Sequence, residues 1–351
     1  MICNPLYSAV IANDQLRVQH LLEHGADPDL GDDNHTPLMQ ASSCQLFSIM
    51  QQLIDAGADI NRRDQMGRTA LMHALKIHAD FPLLVIDSWI REAHSKQYPK
   101  ELSLQVTSLL ISSGSDYQTA DNNGYFPVDY ALLAYLNGAD LPPELIPDKV
   151  HLRFCKAAIT GNSSELAAIL ATENIPRRLI TLALHQAATR GHTQCCAVLL
   201  KQRGDANGID IFGFHPIESA AAGLHTPVVL LLIAHGVTSE GLNRALLATC
   251  MADSHRWPDE ERKTIKSRRL ELARWLLEQG ANPNYCHEYH DAPLKQVIVR
   301  EEDCDLALQL LEFGADPTAG DDHGEPPSAY ARTDRMKSLL QEWDSNPCQP
   351  K

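Results

Sequence analysis

An all-α repeat solenoid is the fold the sequence predicts, and three recurrences predict it. Helix-ending glycines stand at Gly25, Gly57, Gly114, Gly204, Gly236, Gly280 and Gly314, with intervals of 32 residues from Gly25 to Gly57, 32 from Gly204 to Gly236 and 34 from Gly280 to Gly314. A glycine accepts the left-handed conformation that terminates a helix. Leucine-rich helical segments lead into six of these glycines, at Val18–His24, Gln51–Ala56, Ala197–Arg203, Val228–His235, Leu272–Gln279 and Ala307–Phe313. A polar turn and a fresh helix start follow, clearest at Thr36-Pro37-Leu38, Thr69-Ala70-Leu71, His215-Pro216-Ile217 and Ala292-Pro293-Leu294. Threonine caps such a start, and proline at the first helical position loses no intrahelical hydrogen bond. From residue 36 to 57, 183 to 204 and 215 to 236 the distance is 21 residues each time, room for two short helices with a tight turn near His192 or His225.

The segments HGADPDLGDDNHTPLM (24–39), AGADINRRDQMGRTALMHA (56–74), AATRGHTQCCAVLLKQRGDANG (187–208), AAAGLHTPVVLLLIAHG (220–236) and LLEQGANPN (276–284) carry these features together. They resemble the ankyrin repeat, and the resemblance runs from about residue 4 to 343. It implies a hairpin finger and two antiparallel helices in each unit of about 33 residues. About nine or ten helix pairs are expected, some degenerate, with hairpin loops and two inter-helix insertions.

In chain order, unit one (about 4–29) lacks a leading finger, as an end cap would, and unit two spans 30–61. Unit three runs from 62 to 117, where Thr69 to Gly114 is 45 residues, 24 above the standard 21. The surplus lies near 79–100, and FPLLVIDSWIREA within it is expected to add a helix that packs Trp89. Unit four starts with DNNGYFPVDYALLAY, where Phe126 stands in the capping position. Three prolines in Gly138–Pro147 then break the pattern and place a bend between two sub-arrays, 1–140 and 141–343. Leu145–Thr160 and Glu165–Ala171 read as the helices of a degenerate fifth unit, followed by units six (178–207) and seven (208–237). In unit eight Arg244 to Gly280 is 36 residues, 15 above the standard, so ADSHRWPDEERKTIK (252–266) is a second insertion. Unit nine spans about 281–317, a short polar unit ten closes the array, and 344–351 is expected to fray.

The 351 residues are 44% hydrophobic and 21% charged, enough apolar content for a packed interior and too little charge for wholesale disorder. With 30 Lys plus Arg against 45 Asp plus Glu, the net charge of -15 opposes a broad nucleic-acid face. Nine scattered cysteines form no regular framework, which favours a reducing compartment. The longest apolar runs fall far below a membrane span, and the first residues carry no basic leader or long apolar core, so no signal peptide is expected. None of the phosphate-cradling glycine motifs is present, and no cofactor is expected.

A repeat scaffold displays its variable surface on finger tips and the inner helix face. The contact candidates there are Arg62, Arg63, Arg68, Tyr125, Phe212, Phe214, Tyr285 and Tyr289, the aromatics as interface anchors. Asp32, Asp33, His35, Gln65, Asn122, Asp321, Asp322 and His323 share the same loops. Near the second insertion Arg256, Arg262, Lys263, Lys266, Arg268 and Arg269 form a basic cluster diluted by acids, read first as a solvated helix. Cys286–His290 (CHEYH) offers zinc-donor types without a complete set, and Cys195–Cys196 with His185 or His192 lacks an orienting carboxylate, so neither a metal site nor a catalytic site is assigned. The resemblance further implies that His73 and His185 brace neighbouring turns, and that Asn61 is the position an asparaginyl hydroxylase would modify.

The function expected is therefore a non-catalytic protein-protein interaction scaffold, monomeric without its partner, using finger loops and the concave face. Family resemblance to stand-alone bacterial or viral proteins extends this to a secreted effector in the cytosol of a host cell, with a fragment of a eukaryotic adaptor as the competing setting. The alternative is an enzyme whose unusual site is built from the central bend or the insertions.

Overall fold

The computed structural model describes residues 4–31, 34–76, 100–252, 258–287, 291–321 and 324–344. These residues form eighteen α-helices and two 3-10 turns, with no β-strand among them. The expected helix in FPLLVIDSWIREA, with Trp89, lies outside the described residues. Contacts divide the described residues into two compact units, one formed by those up to residue 157 together with 171–179, the other by residues 158–170 and those from 180 onward.

In the first unit the pairs are α1 (Pro5–Ile11) with α2 (Gln15–Glu23), α3 (Pro37–Ser43) with α4 (Phe47–Asp55), and α5 (Ala70–Lys76) with α6 (Lys100–Ser112). The 24-residue surplus thus falls between the two helices of one pair. α7 (Pro127–Leu136) leads through a 3-10 turn, Pro143–Leu145, to α8 (Lys149–Thr160). Inner helices α3, α5 and α7 bury Leu38, Leu71 and Leu132 along one line of packing, while α4 turns Ile49, Met50 and Leu53 inward. Each layer therefore removes its apolar face from water only against its neighbours, the cause of the repeat's period.

Phe126 brings no side-chain oxygen to the start of α7. Its N–H donates instead to the Asp129 carboxylate three residues on, at 2.8 Å. Arg178 completes the arrangement, bonding Asp129 at 2.8 Å and lying over the Phe126 ring at 4.8 Å.

The second unit contains α9 (Ser163–Thr172), α10 (Arg177–Thr189), α11 (Thr193–Lys201), α12 (Pro216–Ala222), α13 (Thr226–Ala234), α14 (Ser239–Met251), α15 (Asp259–Glu278), α16 (Pro293–Arg300), α17 (Cys304–Glu312), a 3-10 turn at Pro327–Tyr330 and α18 (Asp334–Asp344). Helices α8–α10 straddle the division of the chain. α12 carries Ala220, Ala221 and Ala222 where it packs on α14, so the two backbones approach closely. More than half of the second insertion is helical, because α15 starts at Asp259 and runs for 20 residues. His192 and His225 occupy the two tight turns and reach back one layer, to the carbonyls of Ile159 (3.0 Å) and Thr189 (3.1 Å).

One helix ending departs from expectation. Gly25, Gly57, Gly114, Gly236, Gly280 and Gly314 all have φ between 82° and 96°, but at the end of α11 the left-handed residue is Arg203, with φ 68°. Gly204 stands one place later, where a Cβ would lie 2.9 Å from the Leu199 carbonyl oxygen that its own N–H bonds. It is required for close approach rather than for its φ. Arg269, expected on a solvated basic helix, is also interior at 1% exposure. It bonds the Ala252 carbonyl at 2.7 Å and buried Glu301 at 2.9 Å, with Asp303 at 3.5 Å, and so ties the end of α14 to the far side of the second insertion.

Candidate interaction face

The fingers are built from a four-residue turn that recurs as Asp-x-x-Gly at 64–67, 121–124, 210–213 and 321–324. Its glycine sits at φ 76° to 91° in all four, which closes the turn. One carboxylate oxygen of Asp64 accepts the N–H groups of Met66 (2.9 Å) and Arg68 (2.8 Å). Asp121 does the same for Asn123 and Tyr125, and Asp210 for Phe212 and Phe214. The other oxygen is taken nine residues on, by His73 Nε2 at 3.0 Å, the Tyr130 hydroxyl at 2.7 Å and the Tyr330 hydroxyl at 2.5 Å. At Asp210 that position is Ser219, whose hydroxyl finds no partner, and His185 stands 4.0 Å away instead. The four turn aspartates, Asp321 among them, are thus engaged in holding their own turns.

A second device joins consecutive fingers. The Asn61 amide donates to the Gly114 carbonyl (3.0 Å) and accepts from Asp116 N–H (2.7 Å). Asn207 bridges Gly236 and Thr238 (2.9 and 2.8 Å), and Asn284 bridges Gly314 and Asp316 (2.8 Å each). In the first unit Arg63 reinforces this by bonding Gly67 in its own finger and Ala120 in the next, both at 2.9 Å. Asn122 returns the link through its N–H to the Met66 carbonyl and its amide to the Gln65 carbonyl.

Beneath the first fingers, Ser43, His73 and Asp64 are composed like a nucleophile relay. Ser43 Oγ lies 3.2 Å from His73 Nδ1, and His73 Nε2 lies 3.0 Å from Asp64. Burial pushes the His73 imidazole down to about 3, against the raising effect of its bond to Asp64. Burial would raise Asp64, but the His73 bond and the Arg68 charge outweigh it and hold the carboxyl far below its usual range. The group is a neutral imidazole bonded to a carboxylate that also holds two backbone N–H groups. It braces the turn, as the resemblance implied for His73. His185 braces the adjacent turn through Nε2 and the Gly208 carbonyl, at 2.9 Å.

In the second unit the inner face carries a network around Arg244. Its guanidinium reaches Glu240 (2.9 Å), Glu218 (3.2 Å), the Gly213 carbonyl (3.3 Å) and His287 Nε2 (2.8 Å), while the Tyr285 hydroxyl donates to Glu240 at 2.6 Å. Burial pushes the Glu218 carboxyl up to about 7 despite Arg244, and pushes His215 down to about 4 with help from the same charge. Glu218 also accepts the His215 N–H at 3.4 Å, the role that Asp129 plays for Phe126.

These contacts sort the predicted face. Arg62 is exposed at a tip, and Arg63 is exposed with its guanidinium bound across the fingers; Arg68 is half-buried against Asp64. Phe214 is half-buried, as is Tyr285 on Glu240, and both line the second unit's inner face. Tyr125 and Phe212 are corrections: at 2% and 9% exposure they are interior, four and two residues after turn aspartates whose carboxylates hold their backbone N–H groups. Tyr289 lies outside the described residues, as do Asp32, Asp33, Asp322 and His323. Cys286 is exposed and His287 is bound to Arg244. The Asp-x-x-Gly turns and the Arg244 network escaped the sequence reading; four copies of the first were legible as a repeat, whereas no spacing announces the second.

Comparisons with known proteins agree with this architecture. Profiles of ankyrin repeats match residues 6–86, in a three-copy form, and residues 184–233, in a many-copy form. The chain therefore carries ankyrin repeats over these two stretches, within an all-α array of paired helices. It is 42% identical over 73 residues to human "Ankyrin repeat and SOCS box protein 6", covering 20% of this chain and 17% of the relative. It is 25% identical over 197 residues to Arabidopsis thaliana "Potassium channel AKT2/3", covering 55% of this chain and 23% of that protein. The chain thus spans under a quarter of the length of either relative. No helix among the described residues is long and apolar enough to cross a membrane.

Proposed function

We propose that this protein is a scaffold that binds another protein through its finger tips and inner helix face. The observation that carries the reading is the bracing of the fingers: an aspartate closes four of the tips, and asparagine or arginine side chains join neighbouring fingers. Exposed side chains on such tips are held before a partner arrives, so binding loses little further conformational entropy. Arg62 and Arg63 serve the first unit's face; Phe214 and Tyr285 serve the second, where their half-exposed rings sit beside the Arg244 charges. Affinity capture from the native cell tests this. R62A and the pair F214A/Y285A should each lower recovery of a partner at least several-fold, while R17A and K201A, on second helices of their pairs, should not. Equal recovery by all four variants removes this face from the function.

The finer setting is a bacterial effector, monomeric until it meets a host protein in the host cytosol. A delivery reporter fused to the chain reads this directly, and no signal inside infected cells rejects it. In that setting Asn61 would be open to asparaginyl hydroxylation, with its two amide contacts broken while the enzyme holds it. Co-incubation that adds no oxygen to the Asn61 peptide rejects this modification.

A further inference from the structure

The strongest unassigned feature lies away from the fingers, at the end of α2. Two imidazoles stand one helical turn apart there, His20 in the last turn and His24 at the C-cap, both exposed. Side chains four apart project from the same helical face, and these rings stack with centroids 4.1 Å apart and planes at 24°. His24 Nδ1 lies 2.7 Å from the His20 carbonyl oxygen, which can only accept, so Nδ1 carries the proton and Nε2 presents a lone pair. Metal-ligating histidines are commonly fixed in this way, the second ring nitrogen donating to a backbone carbonyl. The site also sits at the C-terminal, negative end of the helix dipole, where a cation is favoured.

We propose that His20 and His24 form a two-donor site for a borderline transition-metal cation, of the class Ni²⁺, Cu²⁺ or Zn²⁺. Imidazole suits these ions, and two histidines at i and i+4 are an established way for one helix face to present two nitrogens to a metal. No group of three or more His, Cys, Asp or Glu placed to hold a metal occurs among the described residues. The remaining coordination positions therefore fall to water or to a donor from a bound partner. This inference is independent of the finger face.

Calorimetric titration of the full chain with Ni²⁺ tests it, beside H20Q, H24Q and the double variant. Both sites are exposed, so these substitutions should leave the circular dichroism spectrum unchanged. The expected result is one equivalent of Ni²⁺ bound by the parent chain and weakened at least ten-fold by either single substitution. In nuclear magnetic resonance spectra, Ni²⁺ should broaden His20 and His24 signals first. If parent and double variant titrate alike, or if the broadening centres elsewhere, the pair only stacks and caps the helix, and the proposal fails.

Discussion

At the scale of single residues, most polar side chains on the fingers act on the backbone. Asn207 replaces two hydrogen bonds that water would otherwise make to Gly236 and Thr238. Because each such bond contributes about 1 kcal/mol net, Asn207→Ala should lower stability by about 1–2 kcal/mol in a urea melt. Asn207→Asp keeps only the acceptor and should fall between. His73 gives a pH dependence whose sign is fixed by burial. Its folded value, about 3, lies below the ordinary imidazole value of about 6.5, so the unfolded chain takes up the proton first. Stability from this group is complete above about pH 6.5 and is lost as the pH falls towards about 3, a loss on the order of a few kcal/mol. Asp64, also held low, works in the same direction at more acid pH. In H73Q the urea midpoint should vary less between pH 7 and 5 than in the parent; an unchanged slope would refute this origin.

Elements are set by how their ends are closed and how closely they approach. The C-terminus of α11 closes on Arg203 in the left-handed region, a conformation that costs a non-glycine residue about 1–2 kcal/mol. Arg203→Gly should relieve part of that strain and raise the urea midpoint, whereas Gly204→Ala should lower it by forcing a Cβ onto the Leu199 carbonyl. On α12, Ala221 is fully buried where α14 packs, so Ala221→Phe should overpack the layer and cost about 1–3 kcal/mol. Arg269 is the larger lever. Removing it breaks the buried pair with Glu301, leaving Lys266 at 4.0 Å from that carboxylate; breaking a buried pair costs about 3–5 kcal/mol, and R269A should show a loss of up to that size in the same melt. The helix starts at Phe126 and His215 share one arrangement: threonine is missing, an acid at the third helical position accepts the capping N–H and an arginine balances it.

For the molecule as a whole, locality dominates, since each layer of either unit buries its leucines and alanines against adjacent layers. The net charge of -15 acts over longer distances. Self-repulsion of that size opposes compaction and is screened by salt. Raising NaCl from about 20 to 300 mM, across which the Debye length shrinks to below about 10 Å, should therefore raise the urea midpoint of the parent chain. A falling midpoint would mean that attractive pairs such as Arg244–Glu240, rather than net repulsion, govern the electrostatics.

What the sequence determined by itself was the repeat: helix pairs, their glycine stops, their proline starts and the positions of both surpluses. These follow from interactions between residues a few places apart, so spacing alone encodes them. Gly204 shows the limit of that encoding, because a one-residue shift in a helix ending is invisible until the carbonyl it approaches is located. Tertiary structure alone decided which of the candidate residues stay exposed. Tyr125 and Phe212 occupy tip-like positions in the chain yet turn inward, while Arg269, in a charged stretch that reads as a solvated helix, is drawn inside by Glu301 and the Ala252 carbonyl. For Arg269 that placement depends on Ala252 and Glu301, 17 and 32 residues away, and one-dimensional periodicity does not carry that information.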